Sequence, residues 1–383
     1  SGPGPGRGAA APWRPRPAAL PPAALLLDID GVVVAGRRTL PGAGSAVAAA
    51  RRAGVPVRFV TNNASRSPAE VASSLVAAGV TAAPPEVVTS AVVAIDLVRE
   101  RVASRPGPGA GVIAVVGGSG LLDPAAAAGL AAAPAVDVRP GDAAALVQGF
   151  SPDLGWRDLA AAARHARAGT WWVATNLDPT LPTEDGPAPG NGSLVAAVRT
   201  AAGRGPDAVA GKPDPVMVRR ALSPAARADP AGAVMVGDRL DTDVAAARAA
   251  GVTAALVLSG VHGVPDLLAA TPGSRPHLLA AGLPGVLAEH PAVESAAPGV
   301  AACRGVRVTV SRAEEVVDVV LSGRAADTLE DELDAIRALC TATWSLADGL
   351  PEPARAGLLA AVAGHPAVAS LGHGRPPARG PGG

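Results

Sequence analysis

The stretch LLLDIDG, residues 25–31, decides the fold of this 383-residue chain. Three consecutive leucines followed by acidic residues predict a short buried strand that ends in carboxylates. Asp28 and Asp30 are two positions apart, so both side chains point the same way on an extended backbone. Two acids held together repel each other unless a cation intervenes. The alternative interpretation is a polar strand end or a helix cap.

Short apolar runs alternate with alanine-rich helical stretches through residues 23–260. VPVRFV at 55–60, WWVAT at 171–175 and AVMV at 233–236 are examples of the predicted strands. This alternation predicts an α/β fold with a mainly parallel sheet. Because ligands of such sheets bind at the carboxyl ends of the strands, the residues that follow each strand are candidates for a functional site.

Polar residues follow two further predicted strands. Thr61, Asn62 and Asn63 come after the second strand, and their hydroxyl and amide groups can hold phosphate oxygens. Their alternative interpretation is an ordinary turn. Asp238 directly follows AVMV, and Asp243 falls in the first turn of the next predicted helix. Acids at such positions also cap helices, which remains the alternative for these two residues.

Composition singles out Lys212. The chain has 33 lysine and arginine residues in total, but Lys212 is the only lysine, and there are only four asparagines. A lysine that persists where arginine serves everywhere else indicates a position that needs a compact point charge. The alternative is a solvated surface charge, which the sequence context disfavours.

These four elements resemble, in order and spacing, the four motifs of the haloacid-dehalogenase-like phosphohydrolase superfamily. The long segment between the second and third motifs is similar to the subclass with a large α/β cap, which includes nitrophenyl-phosphatase-like enzymes. The implied fold class is α/β, with a Rossmann-like parallel-sheet phosphatase core, an inserted α/β cap domain and a small C-terminal α+β domain. The expected boundaries are a disordered tail at 1–22, the core at 23–90 and 206–285, the cap at 91–205, the C-terminal domain at 299–370 and a disordered tail at 371–383.

The resemblance implies a Mg²⁺-dependent phosphomonoesterase that works through a phospho-aspartate. Asp28 would be the nucleophile, and Asp30 the general acid and base. Mg²⁺ would be held by Asp28, the backbone carbonyl of Asp30 and Asp238, because hard oxygen ligands suit this ion. Asp243 would have a supporting role and orient Lys212 or metal-bound water. The residues expected to bind phosphate or substrate are Gly31, Thr61, Asn62, Asn63, Asn176, Asp178 and Lys212.

The expected substrate is a small phosphorylated metabolite. The cap segment around residues 180–195 looks most like that of actinobacterial glycerol-3-phosphate phosphatases, which implies hydrolysis of glycerol 3-phosphate to glycerol and phosphate. Phosphoglycolate, pyridoxal phosphate and aryl phosphates stay open as substrates. A phosphotransferase or mutase, and a non-catalytic sensor of a phosphate ligand, are the remaining alternatives.

Charge and cysteine content exclude other classes. The formal net charge is zero, so a nucleic-acid partner is not expected. No run approaches the roughly 20 apolar residues that a membrane span needs. Cys303 and Cys340 lack metal-type spacing and are interpreted as buried thiols of a reduced, cytoplasmic protein. The sequence leaves homo-oligomerisation open.

Overall fold

The computed structural model describes residues 21–104, 111–183, 186–313, 316–323 and 328–371, so the two predicted tails fall almost entirely outside the described residues. Contacts divide the chain into two units, one of Ser1–Pro56 with Ala231–Gly383 and the other of Val57–Pro230. The predicted boundaries of core, cap and C-terminal domain stay predictions.

The secondary-structure elements are numbered here in chain order. The strands are β1 (Ala24–Leu27), β2 (Val34–Ala35), β3 (Arg38–Thr39), β4 (Val57–Thr61), β5 (Val87–Thr89), β6 (Val112–Val116), β7 (Ala132–Pro134), β8 (Ala143–Gln148), β9 (Trp172–Ala174), β10 (Thr180–Thr183), β11 (Gly186–Pro189), β12 (Ala208–Val209), β13 (Ala233–Gly237), β14 (Thr253–Val257), β15 (Leu278–Ala280), β16 (Val293–Ala297), β17 (Val300–Cys303), β18 (Val306–Ala313) and β19 (Val316–Gly323). The helices are α1 (Ala43–Arg52), α2 (Pro68–Ala77), α3 (Ser90–Ala103), α4 (Ser119–Ala127), α5 (Trp156–Arg167), α6 (Asn191–Ala202), α7 (Pro215–Ala221), α8 (Pro224–Ala228), α9 (Ala245–Ala249), α10 (Val264–Leu268), α11 (Leu283–Val286), α12 (Leu329–Ala347), α13 (Ala354–Ala363) and α14 (Pro366–Ala369). Within the described residues, none of these helices combines the length and apolarity needed to cross a membrane.

In the first unit, β15, β14, β13 and β1 pair in that order, and every pairing is parallel. The three leucines of β1 are fully buried, as a strand covered on both faces requires. The ladder continues past β1, because the backbone N–H of Asp28 donates to the Val236 carbonyl at 2.9 Å. The carboxyl ends of β1 and β13 therefore lie side by side.

The same unit contains an antiparallel sheet in the order β16-β17-β18-β19, against which α12 packs. Within this sheet, β18 contains the clearly alternating run VRVTV at 306–310, whereas β16 and β17 show no such pattern. These two strands are short and contain alanine, as in VESAA at 293–297 and VAAC at 300–303, so alternation does not stand out in a chain where alanine is common everywhere.

The second unit contains two parallel arrangements. β4 pairs with β5, and a separate five-stranded parallel sheet has the order β12-β9-β8-β6-β7. Helices α5 and α6 contribute alanine and valine side chains to a core that includes the fully buried Trp172. Parallel sheets covered by helices, together with the C-terminal antiparallel sheet, confirm the predicted fold class.

Polar contacts join α12 to the parallel-sheet part of the first unit. The Arg275 guanidinium makes two hydrogen bonds to the Asp348 carboxylate, at 2.5 and 2.6 Å, and lies 4.7 Å from the Trp344 ring centroid. The Trp344 indole N–H donates to the Leu268 carbonyl at 3.0 Å, and the Arg337 guanidinium donates to the Leu279 carbonyl at 2.6 Å. These polar contacts hold α12 against the parallel-sheet part of the unit, in addition to its apolar packing.

Both cysteines are buried free thiols, as predicted. Burial raises the pKa of the Cys303 thiol to about 12, and burial also raises the pKa of Cys340. Thiols with such raised pKa values stay protonated at neutral pH, and they behave as small apolar side chains.

Asp348→Asn tests the ion pair between Arg275 and Asp348, the residue that caps the C-terminus of α12. Hydrogen bonding to Arg275 is the main cause that lowers the pKa of Asp348, so the carboxylate stabilises the fold above the ordinary aspartate pKa of about 3.9. We expect a loss of about 1 kcal/mol in the free energy of unfolding at pH 7, because Asp348 is partly exposed. This loss should shrink as the pH falls below about 4, through the lowered pKa. Urea unfolding at several pH values measures it, with the exposed Asp137→Asn as control, and a pH-independent difference would contradict the assignment.

Candidate active site

Three carboxylates converge in the first unit. Asp28 directly follows β1, Asp238 directly follows β13, and Asp243 lies in a π-helical turn over Leu240–Val244. One carboxylate oxygen of each residue lies within 4.8 Å of those of the other two. Asp238 and Asp243 are only 2% and 1% exposed, whereas Asp28 is partly exposed. The cluster thus gathers three acidic groups, two of them buried, close enough for their oxygens to share one cation.

Backbone N–H groups hold two of these carboxylates. The Val261 N–H donates to Asp238 Oδ2 at 2.8 Å, and the Arg239 N–H donates to Asp243 Oδ2 at 3.2 Å. His262 supports the same loop, since its Nδ1 accepts from the Leu240 N–H at 2.8 Å. Donors of this kind fix the direction of a carboxylate without a countercharge of their own.

Glycines line the Asp238 side chain. A Cβ on Gly31 or on Gly260 would overlap the Asp238 carboxylate, and a Cβ on Gly237 would overlap Asp243. Gly31 also has φ of +78°, which side chains rarely adopt, and its carbonyl accepts from the Ser259 hydroxyl at 2.7 Å. The absence of side chains at these positions lets the backbone approach the carboxylates closely.

The three carboxylates fit a magnesium ion. Oxygens that share one Mg²⁺ at about 2.1 Å lie at most about 4.2 Å apart, so a small inward shift of the side chains suffices. Carboxylates are the hard ligands that Mg²⁺ prefers, and too few soft or nitrogen ligands are present for a zinc-type site in this cluster. The cluster does not include the Asp30 carboxylate. Asp30 is exposed and forms an isolated bridge with Val34, so its side chain stays accessible to a substrate.

In the second unit, Thr61 and Asn63 lie in a tight turn after β4. The Thr61 hydroxyl accepts from the Asn63 N–H at 3.1 Å. Asn63 Oδ1 accepts from both the N–H and the hydroxyl of Ser65, each at 2.8 Å. These bonds order the turn, and a part of the predicted phosphate-binding set is therefore held in a fixed conformation.

Asn62, Lys212, Asp178 and Asn176 form one hydrogen-bonded group in the second unit. Asn62 bonds to the backbone of Lys212 and to the Asp178 carboxylate, and the Asn176 side chain donates to the Asn62 carbonyl at 2.8 Å. Lys212 is 2% exposed, and its ammonium donates to the Val60 carbonyl at 3.1 Å. Four residues that sequence analysis named separately are thus brought together.

Comparison with known proteins agrees with these features. A haloacid dehalogenase-like hydrolase model matches residues 25–131, and a HAD-hydrolase-like model matches residues 209–285. The D-glycerol 3-phosphate phosphatase of Mycobacterium tuberculosis is 42% identical over 322 residues, which are 84% of this chain and 85% of that protein. The chain belongs to the haloacid dehalogenase-like hydrolase family.

A mammalian protein and a solved crystal structure are also similar to this chain. Mouse chronophin is 38% identical over 257 residues, covering 66% of this chain and 86% of chronophin. The crystal structure of glycerol phosphate phosphatase from Mycobacterium tuberculosis in complex with magnesium superposes with a TM-score of 0.68 at 39% identity, covering 88% of this chain and 96% of that one. The predicted family is confirmed.

The structure adds contacts around the haloacid dehalogenase-like motifs that the sequence alone did not show. Asp243 joins the carboxylate cluster itself, and the loop at 259–262 supplies donors to it. The Ser90 hydroxyl donates to the Asn62 carbonyl at 2.6 Å. Position at the carboxyl end of β5 and of β14 is the signal that could have indicated Ser90 and this loop.

Gly31→Ala tests how closely the backbone must approach the carboxylates. We expect at least a tenfold loss of affinity for Mg²⁺ or Mn²⁺, because the new methyl group displaces Asp238. Gly36→Ala is the matched control, since Gly36 has φ of +60° but no atom within 4 Å of an added Cβ. Both variants should lose about 1 kcal/mol of stability through backbone strain. Calorimetric titration with the metal measures the difference, and equal affinities in the two variants would rule out the overlap.

Proposed function

We propose that this protein is a Mg²⁺-dependent phosphatase that hydrolyses a small phosphate monoester, with glycerol 3-phosphate as its substrate. The observation that carries the proposal is the convergence of Asp28, Asp238 and Asp243 at the carboxyl ends of parallel strands. The 42% identity to a D-glycerol 3-phosphate phosphatase over 84% of the chain supports the choice of substrate.

Asp28 is the proposed nucleophile. Its carboxylate oxygen forms a bond to phosphorus while the bond between phosphorus and the ester oxygen breaks. Asp30 gives its proton to the leaving ester oxygen, so that the alcohol departs neutral. Asp30 then takes a proton from water, and that water attacks phosphorus and releases phosphate from Asp28. The exposure of Asp30 supports this role, because an acid–base group must reach both the alcohol and water.

Charge is the main obstacle to the first step. Two unit charges 4 Å apart interact by about 4 kcal/mol at an effective dielectric constant of 20, and a phosphate dianion doubles this repulsion for Asp28. The Asp28 and Asp238 carboxylates and the Asp30 carbonyl, with Asp243 beside them, would hold Mg²⁺, which supplies positive charge that offsets the repulsion when it is bound. Lys212 would contribute a second positive charge, and Thr61 with the Asn62 backbone N–H would orient the phosphoryl oxygens.

The remaining groups proposed to shape the substrate site come from the first two motifs and from the segment between the second and third motifs. We place Asn176 and Asp178, with Gly31 and Asn63, among the groups that shape the substrate site. The two buried free thiols support work in a reducing compartment such as the cytoplasm. Phosphoglycolate, pyridoxal phosphate and aryl phosphates are the competing substrates.

Asp28→Asn tests the phospho-aspartate mechanism. This substitution keeps the shape of the side chain but removes the nucleophilic oxygen charge, so we expect phosphate release to fall below detection while the fold is retained. The assay uses glycerol 3-phosphate, phosphoglycolate, pyridoxal phosphate and 4-nitrophenyl phosphate, each with Mg²⁺ and with EDTA. Asp241→Asn is the matched control, because Asp241 is exposed and forms an ion pair with Arg239.

Three outcomes of this panel would contradict all or part of the proposal. No release from any ester by the wild-type protein would favour a sensor of a phosphate ligand over an enzyme. Transfer of phosphate to an acceptor without free phosphate would indicate a phosphotransferase or mutase. Faster release from another ester would overturn glycerol 3-phosphate as the substrate and leave the phosphatase activity standing.

Lys212→Arg tests the need for a compact positive charge. A guanidinium is larger and planar, so it does not fit a site built for an ammonium that is 2% exposed. We expect kcat/KM to fall by roughly 10²-fold, as for the loss of one donor to the transition state. Steady-state kinetics measure this effect, and near-normal activity in the arginine variant would show that charge alone suffices.

A further inference from the structure

The Asn62 side chain brackets the backbone of Lys212, although the two residues are 150 positions apart. Asn62 Oδ1 accepts from the Lys212 N–H at 2.8 Å, and Asn62 Nδ2 donates to the Lys212 carbonyl at 3.0 Å. A primary amide presents a donor and an acceptor side by side, as a neighbouring β-strand would. The side chain therefore fixes both the position and the orientation of the Lys212 backbone.

The remaining hydrogen-bonding capacity of Asn62 is directed at the same group of residues. Nδ2 also donates to the Asp178 carboxylate, at 3.1 and 3.3 Å from its two oxygens. The Asn62 carbonyl accepts from Ser90 Oγ at 2.6 Å and from Asn176 Nδ2 at 2.8 Å. Because its amide is committed in this way, the Asn62 side chain acts on Lys212 rather than on a phosphate oxygen.

Three of the four asparagines in the chain form a series that ends at its only lysine. Asn191 Nδ2 donates to the Asn176 carbonyl at 2.8 Å, Asn176 donates to Asn62, and Asn62 brackets Lys212. Asn176 and Asn191 are 5% and 2% exposed. Three of the four asparagines and the only lysine therefore belong to one hydrogen-bonded series.

The backbone of Lys212 is the fixed point from which its side chain reaches the site. Its ammonium is carried on four flexible carbons, and a shift at the backbone is passed on to the charge. Gly211 lies against Asn62 Oδ1 and the Thr175 carbonyl, where an added Cβ would be 2.7 and 2.6 Å from these atoms. The loop that carries Lys212 therefore rests directly on the Asn62 amide.

We propose that Asn62 is a positioning residue that sets the location of the Lys212 ammonium through the Lys212 backbone, with Asn176 and Asn191 as its supports. The inference rests on the proposed function only in that Lys212 must act on the phosphate ester. It adds a role for the second motif that is separate from phosphate binding.

A double-mutant cycle tests this positioning role. Asn62→Ala removes both bonds to Lys212, and Asn62→Asp keeps the size and the acceptor but removes both donor N–H groups. Each is made in the wild-type and in the Lys212→Met background, where the aliphatic stem remains but the charge is absent. The measurements are kcat/KM for 4-nitrophenyl phosphate with Mg²⁺ and calorimetric affinity for inorganic phosphate, which needs no turnover.

We expect each Asn62 substitution to lower kcat/KM at least tenfold in the wild-type background and less than threefold in the Lys212→Met background, because no ammonium remains to be misplaced. The affinity for inorganic phosphate should show the same coupling. Val93→Ala, at a residue that is 1% exposed, is the control for a loss of stability alone and should keep its activity per folded molecule. Thermal unfolding is followed for every variant.

The outcomes separate this inference from the proposed function. Absence of Mg²⁺-dependent phosphate release by the wild-type protein would refute the function itself. Wild-type activity together with equal losses in both backgrounds would show that Asn62 acts independently of Lys212. Unchanged kinetics in both Asn62 variants, beside an impaired Lys212→Met, would show that the bracket is not needed for positioning.

Discussion

Repulsion among Asp28, Asp238 and Asp243 is the constraint around which the first unit is built. Two unit charges at about 4 Å interact by about 4 kcal/mol at an effective dielectric constant of 20, and three residues make three such pairs. That total is comparable with the entire net stability of a domain, about 5–15 kcal/mol. The oxygens nevertheless lie within 4.8 Å of one another, so the surrounding backbone must hold them there or a cation must share them.

The fold provides the first part of that restraint through parallel pairing. Adjacent strands β1 and β13 deliver Asp28 and Asp238 to the same edge, and the following π-helical turn brings Asp243 back toward them. The loop after β14 then donates the Val261 N–H to Asp238. Neutral donors of this kind orient the carboxylate oxygens toward one point without adding a positive charge, and carboxylate oxygens are ligands that suit a divalent cation.

The chemistry of the strand ends could be predicted from sequence because it follows from a general rule. A buried strand that ends in carboxylates, together with a parallel sheet, indicates where a site lies. The role of Asp243 as a third carboxylate in the cluster could not be predicted. Its direction depends on a π-helical turn, whereas helix capping explains an acid at that position equally well. The contribution of Val261 was also hidden, since a backbone N–H has no signature in the sequence.

Amino-acid composition pointed to Lys212 as a functional residue, which the spacing of apolar residues could not do. Alanine in β16 and β17 conceals the alternation that would mark them as strands. In contrast, Lys212 is easy to notice because it is the only lysine among 33 basic residues. Arg275 and Asn62 differ in how strictly their contacts require one type of side chain. Arg275 binds a carboxylate and stacks on an indole, and both contacts use the planar guanidinium of arginine, a residue type that is common in this chain.

The Asn62 position has stricter demands. An aspartate there would place an acceptor oxygen, instead of a donor, against the Lys212 carbonyl. A leucine would present no polar group, and a glutamine would be one methylene too long. Only an asparagine offers a donor and an acceptor at the distance that both backbone groups of Lys212 require. A scarce residue type therefore persists where its geometry, rather than its polarity, has no substitute.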